Sequence, residues 1–501
     1  MSLTDAEKEK LFWRRQFILG PHFIDHLSTW KKLVVNNTLF LTAHPELEIT
    51  QVAHNGKCLT LIGYILDPYN PSSNNLDICN RLVRQIVSAE DAFQKMDHLG
   101  GRFVVLLNVE GDMRLFTDAI GYRSVYFLRD STRILWCASQ PGAIAQQLGL
   151  ELNRDTWNEF LDSGHFRSNP EYWYPGDSSP FKKILHLLPN HYLSFENGEV
   201  VRYWPRKRID SISIEECIEQ ASDLLKRLMK SANHRLELAL SLTAGYDTRL
   251  LLAACKEISK EIVIFTQIHP GIDTSHMDIW VPDAILSKLG LKHTLVTCPQ
   301  KIDDDFLECY EQNVSTGRLS RALSMYGQYK YWGSSGKVLI LGSGGEIFRC
   351  IFGNRWKYSG DNSRVSAKTL AKLAGMKDNT FAVNQFENWR SKTKSIPEDY
   401  GINILDLFVW EQGEANWGSM NQAEADIAHE SFFPYNCHRL LTILLSAEQK
   451  YRMPPKHELI RRLVAHMWPE ILDTPINPFP FHISLMRALR TLLRRCRLIS
   501  N

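Results

Sequence analysis

No stretch of this 501-residue chain approaches the ~20 consecutive apolar residues of a bilayer-spanning helix, so stable membrane insertion is not expected. The opening residues, MSLTDAEKEKLFWRR, carry early acids and no apolar core, and so do not read as a secretory signal. None of the ten cysteines forms a CxxC pair, which removes the usual zinc and dithiol redox motifs. Reduced thiols in a cytoplasm are the simplest setting. Charge of one sign is missing too. With 58 Lys and Arg against 56 Asp and Glu, composition gives no argument for a nucleic-acid partner. Neither GxxxxGK[ST] nor GxSxG occurs, and His429-Glu430 and His457-Glu458 lack the second His of a zincin. Internal repeats and low-complexity segments are absent as well.

What remains is an ordinary globular composition, 44% hydrophobic and 23% charged, long enough for two or three domains. The first part, to about Trp204, reads as strand-rich. Its candidate strands are Leu59–Leu66, Gly101–Asn108, Met113–Thr117 and Ser124–Leu128, with a helix over Asn75–Ser88. The polar stretch Arg206–Ser213 reads as a linker. Strands and helices then alternate. The spacing predicts helices near Ser213–Ser231, Thr248–Glu257 and Asp278–Leu289, and strands at Leu236–Leu242, Glu261–Thr266 and Val338–Leu341. Such alternation predicts a parallel sheet covered on both faces. From about Ser363 onward the chain looks mainly helical.

The most informative segment is Leu238–Arg249, LALSLTAGYDTR, an apolar strand entering a small-residue loop that opens a helix. Thr243, Ala244 and Gly245 let backbone approach a phosphate, and the loop N–H groups and helix N-terminus supply donors. Thr243 and Thr248 add hydroxyls. Asp247 is wrong for an anion but right for Mg²⁺ beside bound phosphates. A capped strand–turn–helix corner is the simpler alternative. A second cluster, Gly342-Ser343-Gly344-Gly345-Glu346, follows the strand at Val338–Leu341. On an adjacent parallel strand, Glu346 would share one metal with Asp247; otherwise it is a helix N-terminal acid.

The pattern [Ser/Thr]-[Gly/Ala]-Gly-x-Asp-[Ser/Thr] resembles the pyrophosphate loop of ATP-pyrophosphatases, and with the second turn the chain resembles the asparagine synthetase and β-lactam synthetase family. Tyr203-Trp204-Pro205, Phe181–Leu193, Phe432–Tyr435 and His457–Pro469 add weaker, ordered matches. The resemblance implies an α+β, Ntn-hydrolase-like N-terminal sandwich over residues 1–205, similar to a class II glutamine amidotransferase. It implies an α/β, adenine nucleotide α-hydrolase-like synthetase domain with a helical C-terminal part over 206–501. Gly100–Phe127, with Asp118, carries the first similarity. Ser2 stands where a glutaminase needs its Cys nucleophile, and Gly63–Leu66 replaces the glutamine-holding segment, so that site is expected to be dead.

For the second half the resemblance implies ATP and Mg²⁺ as cofactors. Thr243, Ala244, Gly245, Tyr246, Asp247 and Thr248 would take the phosphates, with Ser343 and Gly344 beside them. Leu240, Ser241, Thr266 and Gly342 would line the adenosine pocket. Asp247 and Glu346 would hold the metal. Glu411 is a candidate base for the incoming amine but reads more readily as a buried partner in a Trp-rich helix. A small-molecule or peptide carboxylate would be adenylated and passed to ammonia or an amine. The family's late catalytic Lys has no counterpart in Thr474–Pro478, so a catalytically degenerate nucleotide-binding scaffold is the alternative reading. Arg349 is placed to meet phosphate or pair with an acid. Asp278 and Asp283 read as a solvated helix face more readily than as nucleotide contacts. The Arg-rich run Leu485–Ile499 reads as a terminal helix with a solvated face in preference to a membrane contact. A homo-oligomer is left open.

Overall fold

The computed structural model describes residues 3–129, 133–163, 169, 171–269, 271–315, 317–353 and 365–478; every structural statement below concerns these. Ser2 and the run Leu485–Ile499 lie outside them.

Twelve strands build two antiparallel sheets from the first part of the chain. They are β1 (Phe17–Gly20), β2 (Lys31–Asn36), β3 (Leu39–Ala43), β4 (Ile49–His54), β5 (Lys57–Leu66) and β6 (Gly100–Val109). They continue with β7 (Asp112–Thr117), β8 (Tyr126–Arg129), β9 (Ile134–Ala138), β10 (Ile184–His186), β11 (His191–Ser194) and β12 (Val200–Arg202). One sheet runs β10-β8-β9-β1-β3-β2 and the other β12-β11-β7-β6-β5-β4. Phe17, Leu19 and Leu41 of the first pack against Ile62, Val104, Leu106 and Leu115 of the second, so alternate residues of each strand fill a shared sandwich core. The other face of the second sheet carries the helices Asn75–Gln85 and Ala89–Met96. The single helix expected over Asn75–Ser88 is cut short. Ile86 turns extended after it, and Ser88 accepts from Asp91 N–H to cap a second helix.

The second part begins with helix α1 (Ile214–Arg235). Its apolar stripe, Leu224, Leu225 and Leu228, is buried in the core cluster that also takes in the helix-bearing face of the sandwich. Five parallel strands follow: β13 (Leu238–Ser241), β14 (Val263–Ile268), β15 (Thr294–Thr297), β16 (Val338–Ile340) and β17 (Glu430–Phe432). Their order is β15-β14-β13-β16-β17. Helices α2 (Tyr246–Ala254) and α3 (Met277–Lys288) follow β13 and β14 respectively. The chain therefore winds one way from β13 and resumes on its other side at β16. In open parallel sheets such a reversal is the usual place for a ligand crevice, here at the carboxyl ends of β13 and β16. No described helix is long and apolar enough to cross a membrane.

Buried ion pairs join the two parts. Arg102 of β6 grips Asp426 with two hydrogen bonds of 2.5 and 2.9 Å and reaches Glu430 at 3.0 Å. Arg123 donates to the other Glu430 oxygen at 2.8 Å. Burial pushes the Glu430 carboxyl up, but Arg123, Arg102 and Arg15 outweigh it and hold the group far below the usual carboxylate range. Tyr64 of β5 also donates to the Ser431 carbonyl at 2.6 Å, so β17 is pinned to the sandwich on both counts.

Truncating one partner of such a pair leaves a buried charge uncompensated. Asp426→Ala should cost about 3–5 kcal/mol, read as a lower urea midpoint for the first unfolding transition. An unchanged midpoint would remove the network from the account of stability. Buried histidines add an acid limit. Burial, and then Arg206, lower the His438 pKa to about 3, so the unfolded chain binds its proton first. Its contribution is complete above the unfolded value near 6.5 and is lost as pH falls from there toward 3. His438→Gln should flatten the loss of stability over that window in a pH series of thermal melts.

Candidate functional site

Both glycine-containing turns leave the carboxyl ends of adjacent strands at the reversal point. The Thr243–Thr248 loop follows β13 and opens α2, and Gly342–Glu346 follows β16. Close packing explains the glycines. A Cβ on Gly345 would stand 2.4 Å from Asp247 Oδ1, and one on Gly342 would stand 3.0 Å from Asp247 Cβ. Gly344 has φ +91°, a left-handed backbone that favours glycine, and a Cβ there would strike Ile120 of the sandwich at 2.7 Å.

The turns bring Asp247 and Glu346 onto one cation. Arg349 Nε lies 3.1 Å from Asp247 Oδ1, and Nη2 donates to Glu346 Oε1 at 2.8 Å. The Arg349–Asp247 contact has the distance of an ion pair without hydrogen-bond alignment, so both atoms lack a hydrogen-bond partner. Burial, mostly, raises the Asp247 pKa to about 7; Arg349 pulls it down and Glu346 pushes it up. Burial works against the charge on Arg349, yet Asp247 and Glu346 raise its pKa.

A third acid joins them. Glu414 is buried, and its Oε2 accepts from Tyr122 O–H at 2.6 Å. Burial and then the Glu346 charge hold its carboxyl well above the usual range, and Glu346 Oε2 finds no donor unless Glu414 keeps a proton. Tyr122 is placed from the sandwich. The Asp118 carboxylate accepts backbone N–H bonds from Phe103, Gly121, Tyr122 and Arg123 at 2.8–3.1 Å, which folds that corner.

Three carboxylates thus face one guanidinium, and oxygens on Asp247 and Glu346 are left without an N–H donor. Hard anionic oxygens short of positive charge suit Mg²⁺, which commonly takes one or two carboxylates and completes its shell with phosphates and water. Among the described residues, no three His, Cys, Asp or Glu side chains converge on a single metal position.

The other expected residues fall as follows. In the loop, Thr243 N–H donates to Thr248 Oγ1 at 3.1 Å, the two threonine hydroxyls meet at 3.0 Å, and Gly245 N–H donates to Thr243 Oγ1 at 3.2 Å. Tyr246 turns outward from this group, its O–H donating to the Pro455 carbonyl at 3.1 Å. Leu240 is fully buried in the core, so only its backbone can face a ligand; Ser241, Gly342 and Ser343 are half-buried at the strand ends. Thr266 is buried, donates to the Leu242 carbonyl at 2.7 Å, and meets His293 at 2.9 Å. Thr474–Pro478 does reach the loop. Arg249 donates to the Thr474 and Pro475 carbonyls, both at 2.5 Å, and Asn477 N–H donates to Ala244 O at 3.0 Å.

Glu411 is corrected as a candidate base and takes the buried-partner reading. It lies apart from the three acids, gripped by Arg202 at 2.5 and 2.7 Å, Asn190 at 3.0 Å and Trp389 at 2.9 Å. Although burial pushes its carboxyl up, these partners hold it below the usual range, so it serves as a structural anchor and not as a poised base. Glu414, three residues on, is the acid this helical segment presents to the crevice. Asp278 divides between the two readings. Its side chain stays 39% exposed yet accepts from Ala244 N–H at 2.9 Å, whereas Asp283 keeps to the exposed face beside His293.

No protein-family model matches the chain, and no curated protein matches it. Among solved structures, the NH3-dependent NAD synthetase from Campylobacter jejuni matches at 16% identity and TM-score 0.19, over 28% of this chain and 60% of that one. NMN synthetase from Francisella tularensis matches at 13% and 0.20, over 36% and 95%. Glutamine PRPP amidotransferase from B. subtilis matches at 10% and 0.23, over 59% and 64%. The chain thus spans under two thirds of the Campylobacter and B. subtilis proteins, and scores this small carry no argument about function.

If Arg349 balances the acids, Arg349→Met should cost about 3–5 kcal/mol by leaving buried carboxylates uncompensated. Adding Glu346→Gln should restore part of that loss in a double-mutant cycle of urea midpoints. Strictly additive effects would separate the two side chains.

Proposed function

We propose that the crevice between β13 and β16 binds ATP and that the chain uses it to form an amide by adenylating a carboxylate. The observation that carries this reading is the meeting of Asp247 and Glu346 on Arg349, at two glycine-containing turns on either side of the strand-order reversal. Polyphosphate would lie along Thr243–Thr248 at the N-terminus of α2, where backbone N–H groups and the helix dipole favour anions. Ser343 and Gly344 would border it, and the strand ends at Leu240, Ser241, Thr266 and Gly342 would border the adenosine. Asp247 and Glu346 would hold Mg²⁺, which supplies positive charge against the phosphates.

A substrate carboxylate oxygen then attacks the α-phosphorus and pyrophosphate leaves. Ammonia or an amine next attacks the acyl carbon, AMP leaves with the electron pair of the broken C–O bond, and the nitrogen gives up one proton to solvent. Loop and crevice contribute by holding both reactants in place. Within this reading residues 1–205 form a glutaminase-like sandwich without glutaminase activity, residues 206–501 form the synthetase part, and the amine comes from solution.

Two observations favour a second reading, a nucleotide-binding scaffold without turnover. Loop amides are engaged by the chain's own side chains. The segment 474–478 that crosses the loop brings no Lys with it.

Carboxylate-dependent ATP–pyrophosphate exchange separates the two. The ligase reading expects exchange with at least one amino acid, sugar acid or peptide carboxylate, and Asp247→Asn should lower it at least about 100-fold while the far-UV spectrum stays unchanged. ATP binding with no exchange across such a panel would favour the scaffold. Full exchange by the variant would take Asp247 out of the site.

A further inference from the structure

We propose that the backbone N–H of Ala244 is an anion subsite held by Asp278 in the free protein, and that this carboxylate restricts the loop to polyphosphate ligands. The proposal rests on the ATP-site reading above and deepens it by naming the residue that sets which anions enter.

Three successive amides line the turn after β13. Those of Thr243 and Gly245 donate to neutral threonine hydroxyls from within the loop itself. Ala244 differs. Its N–H donates at 2.9 Å to a carboxylate oxygen brought from another element, the first turn of α3, 34 residues along the chain. A negatively charged oxygen at that distance from a phosphate-loop amide occupies the place a phosphate oxygen would take.

The contact is built to be exchanged. Ala244 is fully buried, whereas the Asp278 side chain is 39% exposed and can return to water without disturbing the core. Besides Ala244, His276 Nδ1 accepts from Asp278 N–H at 3.2 Å and lies 3.7 Å from the second carboxylate oxygen, and the carboxylate charge also reaches His269. No Lys or Arg is paired with it among the described ion pairs, so releasing it strands no partner.

An incoming anion competes with a tethered carboxylate whose effective concentration is high. A ligand offering one oxygen to Ala244 gains little over Asp278. A polyphosphate adds contacts along the rest of the loop and the start of α2, and so displaces it. Asp278 thereby raises the threshold for orthophosphate more than for ATP.

Calorimetric titration with ATP and with inorganic phosphate, in the presence of Mg²⁺, tests this on the full chain and on Asp278→Ala and Asp278→Asn. Asp278→Ala should bind ATP about tenfold more tightly and acquire measurable phosphate binding. Asp278→Asn, which keeps a neutral acceptor for Ala244 N–H, should fall between it and the native protein. Matching thermal melts establish that each variant is folded. If the native chain binds ATP and Asp278→Ala binds it equally or less well, Asp278 supports the loop and does not guard it, and the proposal fails while the ATP site stands. If no form binds ATP, the site reading itself fails and takes this proposal with it.

Discussion

Everything at the crevice depends on a buried ionic weld between an antiparallel sandwich and a parallel sheet. Arg102 and Arg123 come from the sandwich; Asp426 precedes β17 and Glu430 begins it. Charges this deep are tolerated only when their geometry is nearly saturated, and here two guanidiniums share two carboxylates. The weld fixes how Tyr122 meets Glu414 and how Ile120 crowds Gly344. The sandwich is thereby a wall of the site and not an appendage to it.

The crevice itself holds more negative charge than its single guanidinium can balance. Glu414 answers by keeping its proton, and Asp247 is carried toward neutrality. Such an arrangement favours a ligand that arrives with its own cation, as a magnesium-bound nucleotide does. This electrostatic demand, more than any single contact, is what the proposed magnesium–nucleotide reading rests on.

Much of the parallel sheet was legible in the sequence because β13 and β16 are short apolar runs that end in small residues, and glycines there leave an unmistakable mark. The helices α1, α2 and α3 also lie where the alternation of strands and helices places them. Shorter pieces were not legible. β17 is three residues long within a helical region, and β15 is an edge strand with alternating exposure. In the sandwich, β1 follows the charged helix Asp5–Leu11 so closely that the helical pattern masks it. At the site, Glu411 drew attention and Glu414 did not, because both sit in one Trp-rich run. Which of them faces the crevice is decided by the π-helical winding of Val409–Gly418, which periodicity at 3.6 residues does not foresee. The Asp278 contact to the loop was out of reach for a similar reason: the sequence located its helix but not the turn that brings its first residues beside Ala244.

The segment Val409–Gly418 has two ends with different loyalties. Glu411 is clamped to Arg202 and Asn190 of the sandwich, while Glu414 reaches the acids of the crevice. A rod fastened at one point and read at another behaves as a lever. Damage to the sandwich at the Glu411 clamp would rotate Glu414, so lesions there would register among the crevice acids without touching any of them.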